Sequence, residues 1–384
     1  MDKTSQSEFK RIVYVFQGGG ALGAYQVGIF NALTENNYHP NWIIGTSVGA
    51  INASIIAGNP PEIRQEKLYE FWDAITQNTI PDYVNNHALL RRYYNALSAE
   101  RSILWGDENF FHPRLDNPPW SKFDSTPDQI SFYDTTPLKK LLSTVIDFDY
   151  INQRNVRLTL SAVEIKEGKT VYFDNHKTKI TVDHVMASGA LPPGFPAVEI
   201  GGKYYWDGGV LSNAPIRVLL QERLQTKTLC FVVHLFDSFG MLPQNLDDVL
   251  KRHKDISYSS HFRSHMDTFK LIHGLRFLLN QVAEHLPDEI KNDNYLKHSI
   301  YLHNKIAPFH FVRFLYEAPI TELSSKDFEF SKLSMRERYT AGFQDAEQAI
   351  EQSPWLNITD EKLGISIHEF SRDIEKLELI KKSL

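Results

Sequence analysis

Two short β-branched runs, each ending in a glycine-rich turn that opens an apolar helical segment, follow each other near the start of the chain: "RIVYVFQGGGALGAYQVGIFNALTEN" and "NWIIGTSVGAINASIIAG". The first run reads as a strand over residues 11–17, the second as a short strand ending near Ser47. Between them Leu22, Tyr25, Ile29 and Leu33 fall on one helical face. After Ser47, the four-residue spacing of Gly49, Ala53 and Ala57 makes a smooth stripe that lets another element approach closely. Adjacent parallel strands need a crossover, and a helix is the usual one. Strand, helix, strand, helix at this spacing therefore predicts an α/β fold with a mainly parallel central sheet flanked by helices.

The 384-residue chain divides by character. Residues 11–240 are expected to form the main domain, with a helical and aromatic insertion over about 60–150. "EIRQEKLYEFWDAI" is helical, and Trp105, Phe110, Phe111, Trp120, Phe123, Phe132 and Tyr133 follow, broken by prolines. These rings suit a lid or lipid-contacting surface as well as the core of an insertion. Thr136 caps a helix that begins at Pro137. "VRLTLSAVEI" and "TVYFDN" predict a hairpin, "KYYWDGG" a strand running into a turn, and "TLCFVVHLFD" a buried strand. Residues 241–384 read as a mostly helical extension with a lone strand in "PFHFVRFLYE" and a capping box at Ser334 and Glu337.

Gly18, Gly20 and Gly23 fit G-x-G-x-x-G, the loop that cradles a dinucleotide pyrophosphate. The same backbone amides suit the oxyanion of acyl transfer. A dinucleotide fold carries Asp or Glu at the end of its second strand to bind the ribose. Here that place holds Ser47, within Gly45-Thr46-Ser47-Val48-Gly49. G-x-S-x-G between a strand and a helix is the nucleophile elbow, which presents a serine on a tight turn. Both loops open on the carboxyl edge of one sheet, where α/β proteins bind ligands. A third glycine turn puts Asp207 before Gly208 and Gly209 at a strand end.

Other features point to bland roles. A net charge of −6 offers no basic excess for a nucleic-acid partner. The single cysteine, Cys230, lies in an apolar run and reads as a small core residue. His261 and His265 stand four apart without an H-E-x-x-H pattern, so neither metal nor cofactor is expected. His176, His184 and His234 are candidates for a serine triad, but none sits in a glycine-flanked loop. The N-terminus lacks a signal-peptide pattern, and no run reaches the roughly 20 apolar residues of a membrane span. The expectation is a cytoplasmic protein, with peripheral membrane contact left open.

The triplet Gly18-Gly19-Gly20 with Gly23, then Gly45-x-Ser47-x-Gly49, then Asp207-Gly208-Gly209, resembles the patatin-like phospholipases over residues 11–236. "DTTPLKKLL" and "ASGALPPGFP" are similar to that family's connecting segments, and residues 240–384 to the C-terminal extension of a bacterial subgroup. The resemblance implies a Ser47–Asp207 catalytic dyad without histidine. It implies an oxyanion hole at Gly18, Gly19 and Gly20, and a lipid ester substrate, at a membrane surface or in solution. One departure stands out: the family often carries Arg or Lys just before the last glycine of the first motif, where this chain has Leu22. An acyltransferase using the same acyl-enzyme and a non-catalytic nucleotide- or lipid-binding module are the alternative readings.

Overall fold

Alternation along β1 (Arg11–Phe16) sends Val13 and Val15 to one face of a sheet and Ile12, Tyr14 and Phe16 to the other, and both sets are buried. A strand covered on both faces belongs in the middle of a parallel sheet. The computed structural model describes residues 9–77, 84, 87–115, 125–220, 222, 226–259, 262–291, 307–356 and 365–370. Trp120, Phe123 and His261 lie outside the described residues.

After β1 come α1 (Ala24–Glu35), β2 (Trp42–Gly45), α2 (Val48–Ala57), α3 (Arg64–Ile75) and α4 (Ala88–Trp105). A two-residue ladder, β3 (His112–Pro113) with β4 (Tyr133–Asp134), precedes α5 (Thr136–Val145) and α6 (Phe148–Asn152). The hairpin β5 (Arg157–Glu164) and β6 (Lys169–Asp174) leads to α7 (Val182–Ser188), β7 (Val198–Ile200) and β8 (Lys203–Asp207). Then follow α8 (Arg217–Leu220), β9 (Thr228–His234), α9 (Leu246–Tyr258), α10 (Phe262–Glu284) and α11 (Asp288–Lys291). The last elements are β10 (Phe309–Leu315), α12 (Lys332–Gln352) and β11 (Ile365–Phe370).

Nine strands form one sheet in the order β11-β10-β9-β1-β2-β5-β8-β7, with β6 on the other edge of β5. The run from β11 to β5 is parallel and the β5–β8 margin antiparallel, so the mainly parallel α/β class expected from sequence is the class observed. One pairing positions everything that follows. β6 fills one edge of β5 from Thr159 to Glu164. On the opposite edge β2 runs upward until Gly45 pairs with Leu160, and β8 runs downward until Asp207 pairs with Ala162. Two chains thus arrive head to head beside Ser161, and each must turn out of the sheet there.

The lone strand of the C-terminal region is β10, which extends the sheet beside β9, so residues beyond 240 share this sheet and its core. β11 was not legible in "ISIHEF"; it pairs parallel with β10 and brings Glu369 to Arg313 at 3.1 Å. The final long helix also begins earlier than the Ser334 capping box suggests. Ser331 is its cap, accepting the Ser334 amide at 3.2 Å, while Glu337 pairs instead with Arg91 at 2.7 Å.

α12 lies directly on α1. Gly342 faces the Tyr25 carbonyl and Gly28 faces the Tyr339 carbonyl, each so closely that a Cβ has no room; one built on Gly28 would also meet the Phe343 nitrogen at 2.7 Å. The Tyr25 hydroxyl donates to Asp345 at 2.7 Å across the same seam. Because overpacking a close helix contact typically costs about 1–3 kcal/mol, Gly28→Val is expected to lower unfolding free energy by at least that much in urea titration. Gly168→Ala is the reference for a side chain with space, since nothing approaches a Cβ there, although its φ of +60° adds backbone strain.

Candidate active site

The turn leaving β2 is built by close approach. A Cβ on Gly45 would strike the Gly49 carbonyl, and one on Gly49 would strike the Phe16 and Gln17 carbonyls. Between these glycines Ser47 takes φ 57° and ψ −128°, a conformation that non-glycine residues seldom hold without support. The support is its amide, which donates to the Ser188 carbonyl at 3.0 Å and the Ser188 hydroxyl at 3.2 Å. Ser188 in turn donates to the Ser161 carbonyl at 2.7 Å, and Thr46 meets the Ser161 hydroxyl at 2.6 Å. Ser47 stands at the N-cap of α2, yet its hydroxyl makes no capping bond.

That hydroxyl shares the cleft with the Asp207 carboxyl, whose proton affinity Ser47 lowers. Asp207 ends β8 at 1 % exposure and accepts the Gly209 amide at 2.7 Å. Burial pushes its carboxyl up to about 7, against the pull of Ser47 and of the Gly209 hydrogen bond. Gly208 packs against Ser161, where no side chain fits.

The first glycine loop closes the third side. Gly18 faces Ser47, whose Cβ would lie 2.8 Å from a Cβ on Gly18. Gly20 has φ +53° and is covered by the Asp327 carbonyl, and Gly23 abuts Val48 of the elbow helix. The Gly18 amide is engaged, donating to the Asn213 carbonyl at 3.3 Å. The amides of Gly19 and Gly20 carry no hydrogen bond among the described residues.

All ten residues singled out in the three glycine motifs therefore come together. Asn213, Tyr258 and Asp327 join them without having been foreseen. The Asn213 amide donates to the Gly18 carbonyl at 2.9 Å and to the Tyr258 carbonyl at 3.3 Å. Gln17 also donates to the Tyr258 carbonyl, at 2.6 Å, so the end of α9 is clamped to the loop. Burial, with Asp327 and Asp207 nearby, raises the Tyr258 phenol. Asp327 pairs with Lys254 at 2.6 Å. Asn213 lies six positions after Asp207, in "SNAP", a polar loop residue that local pattern alone does not distinguish.

The patatin-like phospholipase profile matches residues 14–220, more than half of the chain. The chain belongs to the patatin-like phospholipase family. A second profile, described as patatin phospholipase, matches residues 256–362. A patatin-like phospholipase domain-containing protein of Caenorhabditis elegans is 32% identical over 90 residues, which is 21% of this chain and 8% of that protein. The chain thus spans less than a tenth of that relative's length. Among solved structures, VipD from Legionella pneumophila aligns over 98% of this chain and 74% of its own, at 14% identity and TM-score 0.38. The type III effector ExoU, known from Pseudomonas aeruginosa, aligns over 89% of this chain and 52% of its own, at 10% identity and TM-score 0.31.

In this patatin-like chain the cleft over Ser47 is partly open to solvent, with a cavity of about 70 Å³. Its walls are largely apolar, with Val48, Ile51, Leu138 and Leu191 beside a ring cluster. Phe110 meets Phe330 at 5.6 Å and Phe111 meets Phe195 at 5.4 Å, both within that wall. The aromatic insertion is therefore divided. Phe110 and Phe111 are buried and line the cleft, whereas Trp105 and Phe132 are exposed. No histidine lines the cleft among the described residues. His184 caps α7 through Thr181, and His234 is buried beside Arg313. No helix among the described residues is long and apolar enough to cross a membrane.

A buried carboxyl that titrates near 7 costs stability once ionised. The unfolded group titrates near 3.9, so the native state binds the extra proton between about pH 4 and 7, and stability falls across that window. Asp207→Asn removes the charge and is expected to be roughly 2–4 kcal/mol more stable than the parent at pH 8, the gap closing toward pH 4. Urea unfolding of both proteins at the two pH values measures it.

Proposed function

We propose that the protein is a serine acyl hydrolase that cleaves carboxylic esters of lipids in the manner of a phospholipase A or lysophospholipase. The observation that carries this reading is that Ser47 and the buried Asp207 carboxyl line one largely apolar cleft, with Ser47 acting on the proton affinity of that carboxyl. Family membership supports the lipid-hydrolase class.

In the proposed reaction Ser47 Oγ attacks the ester carbonyl carbon while its proton passes to Asp207. A carboxylate raised to about 7 is a far stronger base than one in water, near 3.9. The carbonyl electrons move onto oxygen, which the unengaged amides of Gly19 and Gly20 receive, aided by the N-terminus of α2. The Gly18 amide, spent on Asn213, holds the loop instead. Collapse expels the alcohol, which takes the proton from Asp207, and leaves an acyl group on Ser47. Water, deprotonated by Asp207, then releases the fatty acid and regenerates the serine. The aromatic wall of Phe110, Phe111, Phe195 and Phe330 suits an acyl chain.

With a p-nitrophenyl ester, Ser47→Ala is expected to lose about 10⁴-fold or more in kcat, and Asp207→Asn about 10²–10⁴-fold, both while folded. The dyad would be falsified by undiminished turnover of Ser47→Ala.

The active form needs Asp207 ionised, so kcat/KM should rise with pH and level off above a midpoint near 7. A profile flat from pH 5 to 9 would count against this base. Incubation with a mixed lipid extract, followed by mass spectrometry of what is consumed, identifies head group and chain length.

A further inference from the structure

The first glycine loop is gripped from behind by an arginine more than three hundred residues away. Arg338 of α12 is buried, at 1 % exposure. Its Nη1 donates to the Ala21 carbonyl at 3.2 Å and the Glu329 carbonyl at 2.9 Å, and Nη2 donates to the Lys326 carbonyl at 3.1 Å. Glu322 balances the charge, meeting Nε at 2.9 Å and Nη2 at 2.8 Å, with Glu329 at 3.7 Å. The planar guanidinium thus ties the turn Gly20–Gly23 to the turn Lys326–Phe328, whose Asp327 carbonyl rests on Gly20.

The hydrogen bonds continue through peptide groups. Arg338 donates to the carbonyl of Ala21, and the N–H of that same peptide, on Leu22, donates to the Gly19 carbonyl at 3.1 Å. The N–H of the Gly19 peptide belongs to Gly20, which lines the cleft and is otherwise unengaged among the described residues. A hydrogen bond accepted by a peptide oxygen polarises the N–H of its own unit, by roughly 10–30% per bond in an aligned chain. Here a cation heads the chain and the proposed oxyanion donor ends it.

We propose that Arg338 is a positioning residue of the oxyanion hole, which fixes and polarises the Gly20 N–H through the Ala21 and Gly19 peptides. The proposal rests on the acyl-hydrolase reading above. The turn itself carries no cation, since Leu22 precedes its last glycine, and Arg338 brings one to it from α12.

The test compares Arg338→Lys, Arg338→Gln and Ser47→Ala with the parent. It uses a p-nitrophenyl ester and a trifluoromethyl ketone, which a reactive serine converts to a charged tetrahedral adduct. Fluorophosphonate titration corrects for the active fraction, and melting temperature monitors folding. Losing one oxyanion donor costs about 10²–10³-fold. Arg338→Gln is therefore expected to lose about 10²-fold in kcat, and Arg338→Lys about 10-fold, with KM within twofold. Ketone affinity should fall by the same factor as kcat/KM. A folded Arg338→Gln protein with parental kcat, or a loss of kcat without weaker ketone binding, overturns the proposal. Should neither arginine variant fold, Glu322→Gln decides. It keeps an acceptor oxygen but withdraws less charge from the bond to Ala21, so kcat should equal or exceed the parental value; a threefold fall in folded protein contradicts the proposal. Turnover by Ser47→Ala would show that the hydrolase reading had failed, whereas a dead Ser47→Ala beside a normal Arg338→Gln would defeat this inference alone.

Discussion

The site depends on one crowded edge of β5. With β6 on its other side, β5 offers a single edge to two strands of opposite direction, and Gly45 and Asp207 stop two pairing positions apart. Neither chain can continue without colliding with the other. Each leaves through a glycine-bounded turn, and the residues carried out at those turns are Ser47 and Asp207. Their proximity is therefore a consequence of strand pairing, and needs no long side chain to span a gap. The small residues at the junction, Thr46, Ser161 and Ser188, are hydrogen-bonded to one another.

The same crowding sets the electrostatics. Asp207 is buried where β8 ends in the cleft wall, so its charge is poorly solvated and its proton is held to about pH 7. Among the described residues, Ser47 and the Gly209 amide oppose that burial. A carboxylate in water would accept a serine proton poorly, and a fully paired one would accept it worse. The fold gives up stability at this point once the carboxyl ionises.

The region beyond 240 does more than enlarge the core. Tyr258, Asp327, Phe328 and Phe330 stand in the cleft wall, and α12 supports α1 immediately behind the glycine loop. Lys326 is buried between Asp255, at 2.7 Å, and the Phe236 ring, at 5.3 Å, which fastens the turn 326–328 over the loop. Any account of substrate choice has to include these residues beside those of the first 236.

The glycine motifs were legible in the chain because tight turns and backbone contacts exclude every other residue, leaving a local pattern. β1, β2, β5, β6, β8, β9 and β10 were legible for a similar reason, through runs of apolar and β-branched residues. Asn213, Tyr258, Asp327 and Arg338 were not. Each acts through a carbonyl, an amide or a charge presented to a partner distant in sequence, and no spacing rule marks such a residue. The start of α12 was misplaced because Ser331 and Ser334 are both capping residues by type; Ser331 takes the cap, and Glu337 is engaged by Arg91. β11 was missed because its six residues alternate apolar and polar too briefly to separate a strand from a loop.

The most direct test of the account is to trap the acyl-enzyme. Protein mixed with a slowly turned-over fatty-acyl ester is quenched in acid within one turnover, digested, and its peptides are sequenced by mass spectrometry. The account predicts a single acyl group on Ser47 that disappears on longer incubation as free fatty acid accumulates. Ester cleavage with no acyl group on Ser47, or with the group on another residue, would contradict it.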